Sequence, residues 1–569
     1  MRQSWYLLVF IIVLLGLLAA CAPATPAPSP TKPAAAPAAT TAPVAPTAPP
    51  AAATKPAAAP AVATQPTAAP VSKVKRGGIL IRAQSEDTNS WDPAFALNSA
   101  VPIETPALES LLYWELVDGK TGKHEIKPQL AESWQTPDDK TIVLKLRSGI
   151  KFHDGSDFDA EAARWQLERS RTNPKSLTRT YLATVQSIEA PDKSTLKINL
   201  KQPSAVMLLN LTAAVGGTGS HGLLIVSKAY ADKNGEAALN DKPIGTGPMM
   251  LTDWKKDDRA NYKPFTGYWR MGEDGKPLPY LDGVEVKVVK DKSVGLIEVR
   301  TGNSHMYKAI DDKDVASVKS NPDLDLIMIN WAASPNAMGF NQKKTPFGQN
   351  VKLRQAAQYA LDRESLAKLI GFGNALVMYY HFWIPSYPGY DESLPVYKFD
   401  LNKAKSLIKE AGYPDGVDLT LTYDEPALRK PAEAIQQMLN QAGFKLNLNG
   451  IDGTTRKQTV QAGNWESIIF GMTPSPDPDM WSRMYTCEGG ANWSTYCNPE
   501  MDKCMAEGGL LTDPAKRSEI YKRCQKILIE DSAIYGTYAL PNNVAFRKEV
   551  KNLKVSQHLL NLRDVWLDK

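Results

Sequence analysis

Residues 128–163 read PQLAESWQTPDDKTIVLKLRSGIKFHDGSDFDAEAA. The first half predicts a hairpin: Ala131–Thr136, the turn Pro137-Asp138-Asp139-Lys140, and Thr141–Arg147 with Ile142, Leu144 and Leu146 alternating onto one face. The second half sets His153 close to Asp154, Asp157, Asp159 and Glu161. Such a group could be a metal site or an acid–base centre, or local structure could require each residue. Asp159 stands directly before Ala160-Glu161-Ala162-Ala163, a helix-favouring run whose apolar face continues to Leu167, so it reads as an N-cap. Glu161 suits the first turn of that helix. Asp154-Gly155 is a turn dipeptide. Each acid except Asp157 thus has a structural task. His153 is left alone, since no H-x-x-H or H-E-x-x-H occurs among the six histidines. The stretch is expected to be framework, with no metal and no catalytic group.

The hairpin pattern recurs at Thr184–Glu189, turn 191–194 and Thr195–Leu200. Val284–Val289, Leu324–Ile329 and Ser467–Met472 read as further strands. Helices are expected at 350–361, 401–411, 427–442, 500–508 and 514–530. Strands mixed with helices indicate an α/β or α+β chain. About 500 residues follow the N-terminal region, more than one core of ~250–300 residues supports, so at least two lobes are expected.

The N-terminus has Arg2, an apolar run from Trp5 to Ala20, and then Leu18-Ala19-Ala20-Cys21. This pattern describes a secretory signal. Leu-Ala-Ala-Cys resembles the bacterial lipobox, which makes Cys21 the lipidated first residue; an uncleaved anchor helix is the alternative. Residues 22–74 are almost wholly Ala, Pro and Thr at first and predict a disordered linker. The remainder is expected outside the cytoplasm, tethered to a membrane. A net charge of +5, with 66 basic and 61 acidic residues interspersed, gives no basic patch for nucleic acid.

With Cys21 assigned to lipid, Cys487, Cys497, Cys504 and Cys524 remain, and four cysteines allow three pairings. Cys487–Cys497 is favoured because it closes a short loop around Gly489-Gly490, leaving Cys504 for Cys524. Those two stand at unequal distances from the loop between their expected helices. A four-thiolate zinc site is the alternative, but no C-x-x-C pair is present.

The quoted stretch, from Pro128-Gln129-Leu130-Ala131-Glu132-Ser133-Trp134 to Phe152-His153-Asp154-Gly155, resembles the signature of bacterial extracellular solute-binding proteins of family 5. Trp91-Asp92-Pro93, Gly245-Thr246-Gly247-Pro248, Tyr268-Trp269, 351–363 (VKLRQAAQYALDR) and 404–416 (AKSLIKEAGYPDG) resemble further family segments in the same order. The resemblance spans 77–569. It implies an α/β fold of the periplasmic-binding-protein type II class in its large form. Two lobes, joined by two crossover segments, would close on a ligand. Lobe I would be 75–330 completed by 540–569, and lobe II 331–539. It further implies a monomeric binding protein, not an enzyme, that needs no cofactor and delivers a solute to an ABC-importer permease.

The same resemblance bears on the ligand. Pro476-Asp477-Pro478-Asp479 falls in a cleft-lining loop of the family, although clustered Asp and Pro are ordinarily a turn. Where peptide binders place an Asp for the peptide ammonium, this chain has Pro474, and Gly471 replaces a pocket Trp. A peptide or peptide-like solute remains the first expectation and an oligosaccharide the second. Trp383, Arg429, Trp481, Trp493 and Tyr538 are the expected ligand-binding residues, aromatic faces being suited to sugar rings, apolar groups or cations. His381 could serve a metal chelate but reads as structural. Gly217–Gly222 satisfies G-x-G-x-x-G, yet a strand rather than a helix follows at Leu223–Val226, so no dinucleotide is expected. A secreted hydrolase is the rival of another class. It lacks a nucleophile–base pair or metal cluster.

Overall fold

The computed structural model describes residues 74–96, 106–119, 122–213, 222–308, 310–380, 385, 387–471, 475, 477–556 and 559–569. The signal segment with Cys21, nearly all of the linker, Gly217–His221, His381, Trp383 and Pro474 lie outside them.

Both expected hairpins form, as Ala131–Asp138 with Thr141–Leu146 and Val185–Asp192 with Thr195–Leu200. Each turn uses the same device: Asp138 Oδ1 accepts the Lys140 amide and Asp192 Oδ1 the Ser194 amide. The inner strands of the two hairpins then pair, giving one four-stranded antiparallel sheet. Ile142, Leu144, Leu146, Leu196, Ile198 and Leu200 are buried against Ala163 and Leu167 of the helix Ala160–Thr172.

Each acid from Asp154 to Glu161 has a partner. Asp159 caps the helix, accepting the Ala162 amide at 3.0 Å. Asp154 accepts from Ser156 and from the Ser227 hydroxyl. Glu161 pairs with Arg164, and Asp157 with Lys151 at 2.6 Å, the one task its sequence context had not shown. His153 is buried; its Nε2–H donates to the Gly247 carbonyl at 2.9 Å and its amide to Gly245. Burial holds the imidazole below its ordinary pKa. Glycine is required in this clamp. A Cβ on Gly245 would stand 2.2 Å from the Ala107 carbonyl oxygen, and one on Gly247 2.3 Å from that of Pro106.

The other resembling segments converge in the same way. Buried Glu109 accepts from Tyr268 Oη (2.9 Å), Trp269 Nε1 (3.0 Å), Thr246 Oγ1 (2.9 Å) and Gln129 Nε2 (3.4 Å). Four residues spread over 140 positions therefore satisfy one buried carboxylate, which otherwise costs several kcal/mol to desolvate. Asp92 makes a buried two-pronged pair with Arg169 at 2.6 and 2.9 Å. Trp91 packs edge-on against Trp254 and Tyr262.

An eleven-stranded mixed sheet organises the rest. In order, its main path runs Met249–Lys255, Arg259–Pro264, Gly283–Val288, Ile79–Gln84, Met306–Lys308, Ile534–Arg547, Leu324–Phe340, Ser467–Gly471, Val417–Asp424 and Phe444–Ile451. Leu324–Phe340 is far longer than the strand expected at 324–329. It and Ile534–Arg547 are the two crossover segments. They are antiparallel; the end of Ile534–Arg547 (Val544–Phe546) pairs with Met306–Lys308, and the end of Leu324–Phe340 (Asn336–Phe340) pairs with Ser467–Gly471. Separate cores form on either side, one around Leu80, Val284, Met306 and Val544, the other around Met338, Phe340, Leu419, Ile435 and Ile469.

The expected helices appear as Val351–Ala360, Leu401–Glu410, Arg429–Ala442, Pro499–Leu510 and Pro514–Asp531. Disulfides join Cys487 to Cys497 and Cys504 to Cys524. Extended residues after Leu510 let the last helix start displaced along its neighbour. Thiols at unequal distances from the loop therefore still meet.

Candidate functional site in the cleft

The register of the crossover strands locates the site. Ile79–Gln84, Gly283–Val288 and Met306–Lys308 are mutually parallel and end level with Val544. Val417–Asp424, Phe444–Ile451 and Ser467–Gly471 are also parallel and end level with Tyr538. Both sets point their carboxyl ends at the crossing, where open α/β sheets bind ligands. Along Ile534–Arg547 the two edges stand about six residues apart, roughly 20 Å at ~3.3 Å per residue. Between them Leu324–Phe340 leaves its ladder from Ile329 to Ser334. Trp331 in this break packs on Gly119 and Gly122, where a Cβ on Gly122 would come within 2.3 Å of the Trp331 Cβ.

The second edge carries charge and aromatic surface. Asp424 ends its strand and pairs with Arg456 at 2.6 Å. The Arg456 guanidinium lies 5.3 Å from the Trp493 ring centre, and Phe470 meets that indole edge-on. Glu425 pairs with Arg429 at 2.8 Å, and this pair holds the part-buried Glu425 carboxyl below its usual range.

The halves touch where the Ala205 amide donates to the Gly509 carbonyl at 3.1 Å. Nearby, part-buried Arg483 faces Tyr181 of the first half, and burial lowers its pKa. Asp477 and Asp479 stand behind this contact, Asp479 lying against Gly509. Asp477 caps the short helix Pro478–Trp481 and grips Arg517 with two bonds of 2.5 and 2.6 Å. Asp479 has no basic partner at ion-pair distance among the described residues; burial and the charge of Asp477 lift it to about 6. The turn at Asp477–Asp479 is thus also a support of the contact.

The expected ligand residues divide accordingly. Arg429 and half-buried Trp493 stand at the second carboxyl edge. Tyr538 lies at the crossing, opposite Asn336, with 1% of its surface exposed. Trp481 is wholly enclosed among Met484, Tyr485, Met501 and Cys504, because the disulfide-linked helices pack over it. Trp383 lies outside the described residues. Arg456, Arg483 and Arg517 were not anticipated. Helix 453–461 follows its strand directly at Asp452, and that strand–helix order could have pointed to Arg456. A narrow crevice among Gln358, Tyr379, Tyr397, Gln525 and Tyr535 lies near the amino ends of the second parallel set, away from the crossing. Among the described residues no cluster of metal-ligating side chains occurs, and no helix is long and apolar enough to span a membrane.

Two α/β halves with facing carboxyl edges and a double crossover define a two-lobed binding protein of the periplasmic type. Residues 125–495 match the description "Bacterial extracellular solute-binding proteins, family 5 Middle". The chain belongs to this family, whose members bind solutes for transport rather than catalyse reactions. It is 30% identical over 440 residues to the glutathione-binding protein GsiB of Escherichia coli K12, covering 74% of this chain and 82% of the relative. The periplasmic binding protein DppA of Helicobacter pylori, solved with the peptide STSA, is 26% identical with a TM-score of 0.71, covering 87% and 99%. The substrate-binding protein CtaP of Listeria monocytogenes shares the fold at TM-score 0.76 and 23% identity, covering 87% and 100%.

Proposed function

We propose that this chain captures a peptide-like solute between its two carboxyl edges and hands it to the permease of an ABC importer. The observation that carries the reading is the pair of facing edges across a double crossover, one bearing Trp493 and the Arg456–Asp424 and Arg429–Glu425 pairs. Relatives that bind glutathione and the peptide STSA support a peptide-like ligand. An oligosaccharide is the alternative, since Pro474 stands where a peptide ammonium would find its Asp. In this reading lobe I is 75–330 completed by 540–569, lobe II is 331–539, and Trp383, Arg429 and Trp493 face the ligand, with Tyr538 at the crossing and Trp481 behind. Lipid on Cys21 and the linker 22–74 hold the body at the outer face of the membrane. Closure is driven by the greater affinity of the closed form for solute.

Native mass spectrometry of protein secreted by an oxidising host, purified without refolding, tests the reading. A ladder of peptide-mass adducts released on unfolding is expected. Adducts in hexose increments would overturn it in favour of the sugar.

A further inference from the structure

Away from the cleft, Arg147 and Arg270 share one aromatic ring. The Arg147 guanidinium carbon lies 4.8 Å, and that of Arg270 4.3 Å, from the Trp269 ring centre. Arg147 directly follows the hairpin strand Thr141–Leu146, and Arg270 follows Trp269 itself. All three residues are part-exposed. Arg563 stands close enough to Arg270 for their like charges to interact.

The anions nearby are committed elsewhere. Glu109 receives Tyr268, Trp269, Thr246 and Gln129. Asp564 takes both bonds of Arg563, at 2.9 and 2.7 Å. Among the described residues neither Arg147 nor Arg270 has a carboxylate at ion-pair distance. Arg147 donates through Nε to the Gln129 carbonyl at 2.8 Å. Arg270 donates from its side chain to no described residue, and its Nε is shut off from water without an acceptor. A guanidinium carries five N–H donors in a fixed fork suited to oxyanions. Here two such forks, held by the same indole, leave most of their donors without a protein acceptor.

We infer that Arg270 and Arg147, which share the Trp269 indole, form a binding site for an oxyanion of the phosphate type. Trp269 orients both cations, and its own N–H is bound to Glu109, so the ring cannot turn away. Arg563 is neutralised by Asp564, so the charge offered to an anion is that of Arg147 and Arg270. The site is separate from the solute cleft and needs no change in the solute reading.

Isothermal titration of inorganic phosphate into the intact protein, at ionic strength fixed with sodium chloride, tests this. Saturable binding is expected, weakened at least about tenfold in Arg270→Gln. A chloride-only thermal midpoint equal to that of the wild type verifies that the variant is folded. If it is not, Arg270→Lys, which keeps the charge but loses the fork, takes its place with the same loss expected. No saturable binding up to about 10 mM phosphate, or undiminished binding by the folded variant, would overturn the site.

Discussion

Replacing Asp477 by Ala isolates what the turn at Asp477–Asp479 contributes to structure. Asp477 and Arg517 are 11% and 8% exposed, so removing the carboxylate strands a guanidinium out of water. Breaking such a pair costs about 3–5 kcal/mol. Two effects adjust the figure. Asp479 lies close enough to offer Arg517 a substitute charge, which pulls the cost toward ~3 kcal/mol. Loss of the cap on Pro478–Trp481 adds about 1 kcal/mol. An Asp477→Ala loss of about 4 kcal/mol is therefore expected by urea denaturation under oxidising conditions, followed by tryptophan fluorescence. The paired replacement Asp477→Ala with Arg517→Met should recover most of that loss, because two charges leave together and an apolar side chain fills the space. A single-variant loss below about 1 kcal/mol, or a double variant as unstable as the single, would refute the assignment of Asp477 to Arg517.

Asp479 links the same turn to pH. Its folded value of about 6 exceeds the ~3.9 of an unfolded aspartate, so between these values the folded chain keeps a proton that the unfolded chain has lost. Stability is greatest below the window and falls as pH rises through it; Asp479→Asn should flatten that slope, and an unaltered profile of thermal midpoint against pH would discount the residue. Gly245→Ala drives a methyl into the Ala107 carbonyl and should lower the unfolding midpoint by about 2–3 kcal/mol equivalent or abolish secretion, whereas a wild-type midpoint would show that the clamp yields. His153→Ala should cost about 1–2 kcal/mol for the lost bond to Gly247 while leaving solute affinity within twofold; a tenfold loss of affinity in folded protein would return the residue to the functional site.

Much of this protein is legible from local chemistry. Alternation in 131–147 and 184–200 specifies hairpins, Asp138 and Asp192 close their turns, and Asp159 starts a helix, because each signal acts within a few residues. The family resemblance was carried by segments whose side chains proved to serve the framework: Gln129, Thr246, Tyr268 and Trp269 on Glu109, and Asp92 on Arg169. Such residues identify a fold and say little about its ligand.

The cleft itself was only partly legible. Nothing near Trp481 in sequence tells that disulfide-linked helices will cover it, and nothing near Asp477 announces Arg517 forty positions later. By itself the sequence determined the elements, their caps and turns, and the family. The tertiary structure alone decided that Leu324–Phe340 runs through both halves, that two parallel sets turn their carboxyl edges toward one crossing, and which charges meet there. The reason is physical. Caps, turns and alternation are settled by neighbours along the chain, whereas a parallel ladder or a buried ion pair joins residues whose proximity exists only once the chain has folded.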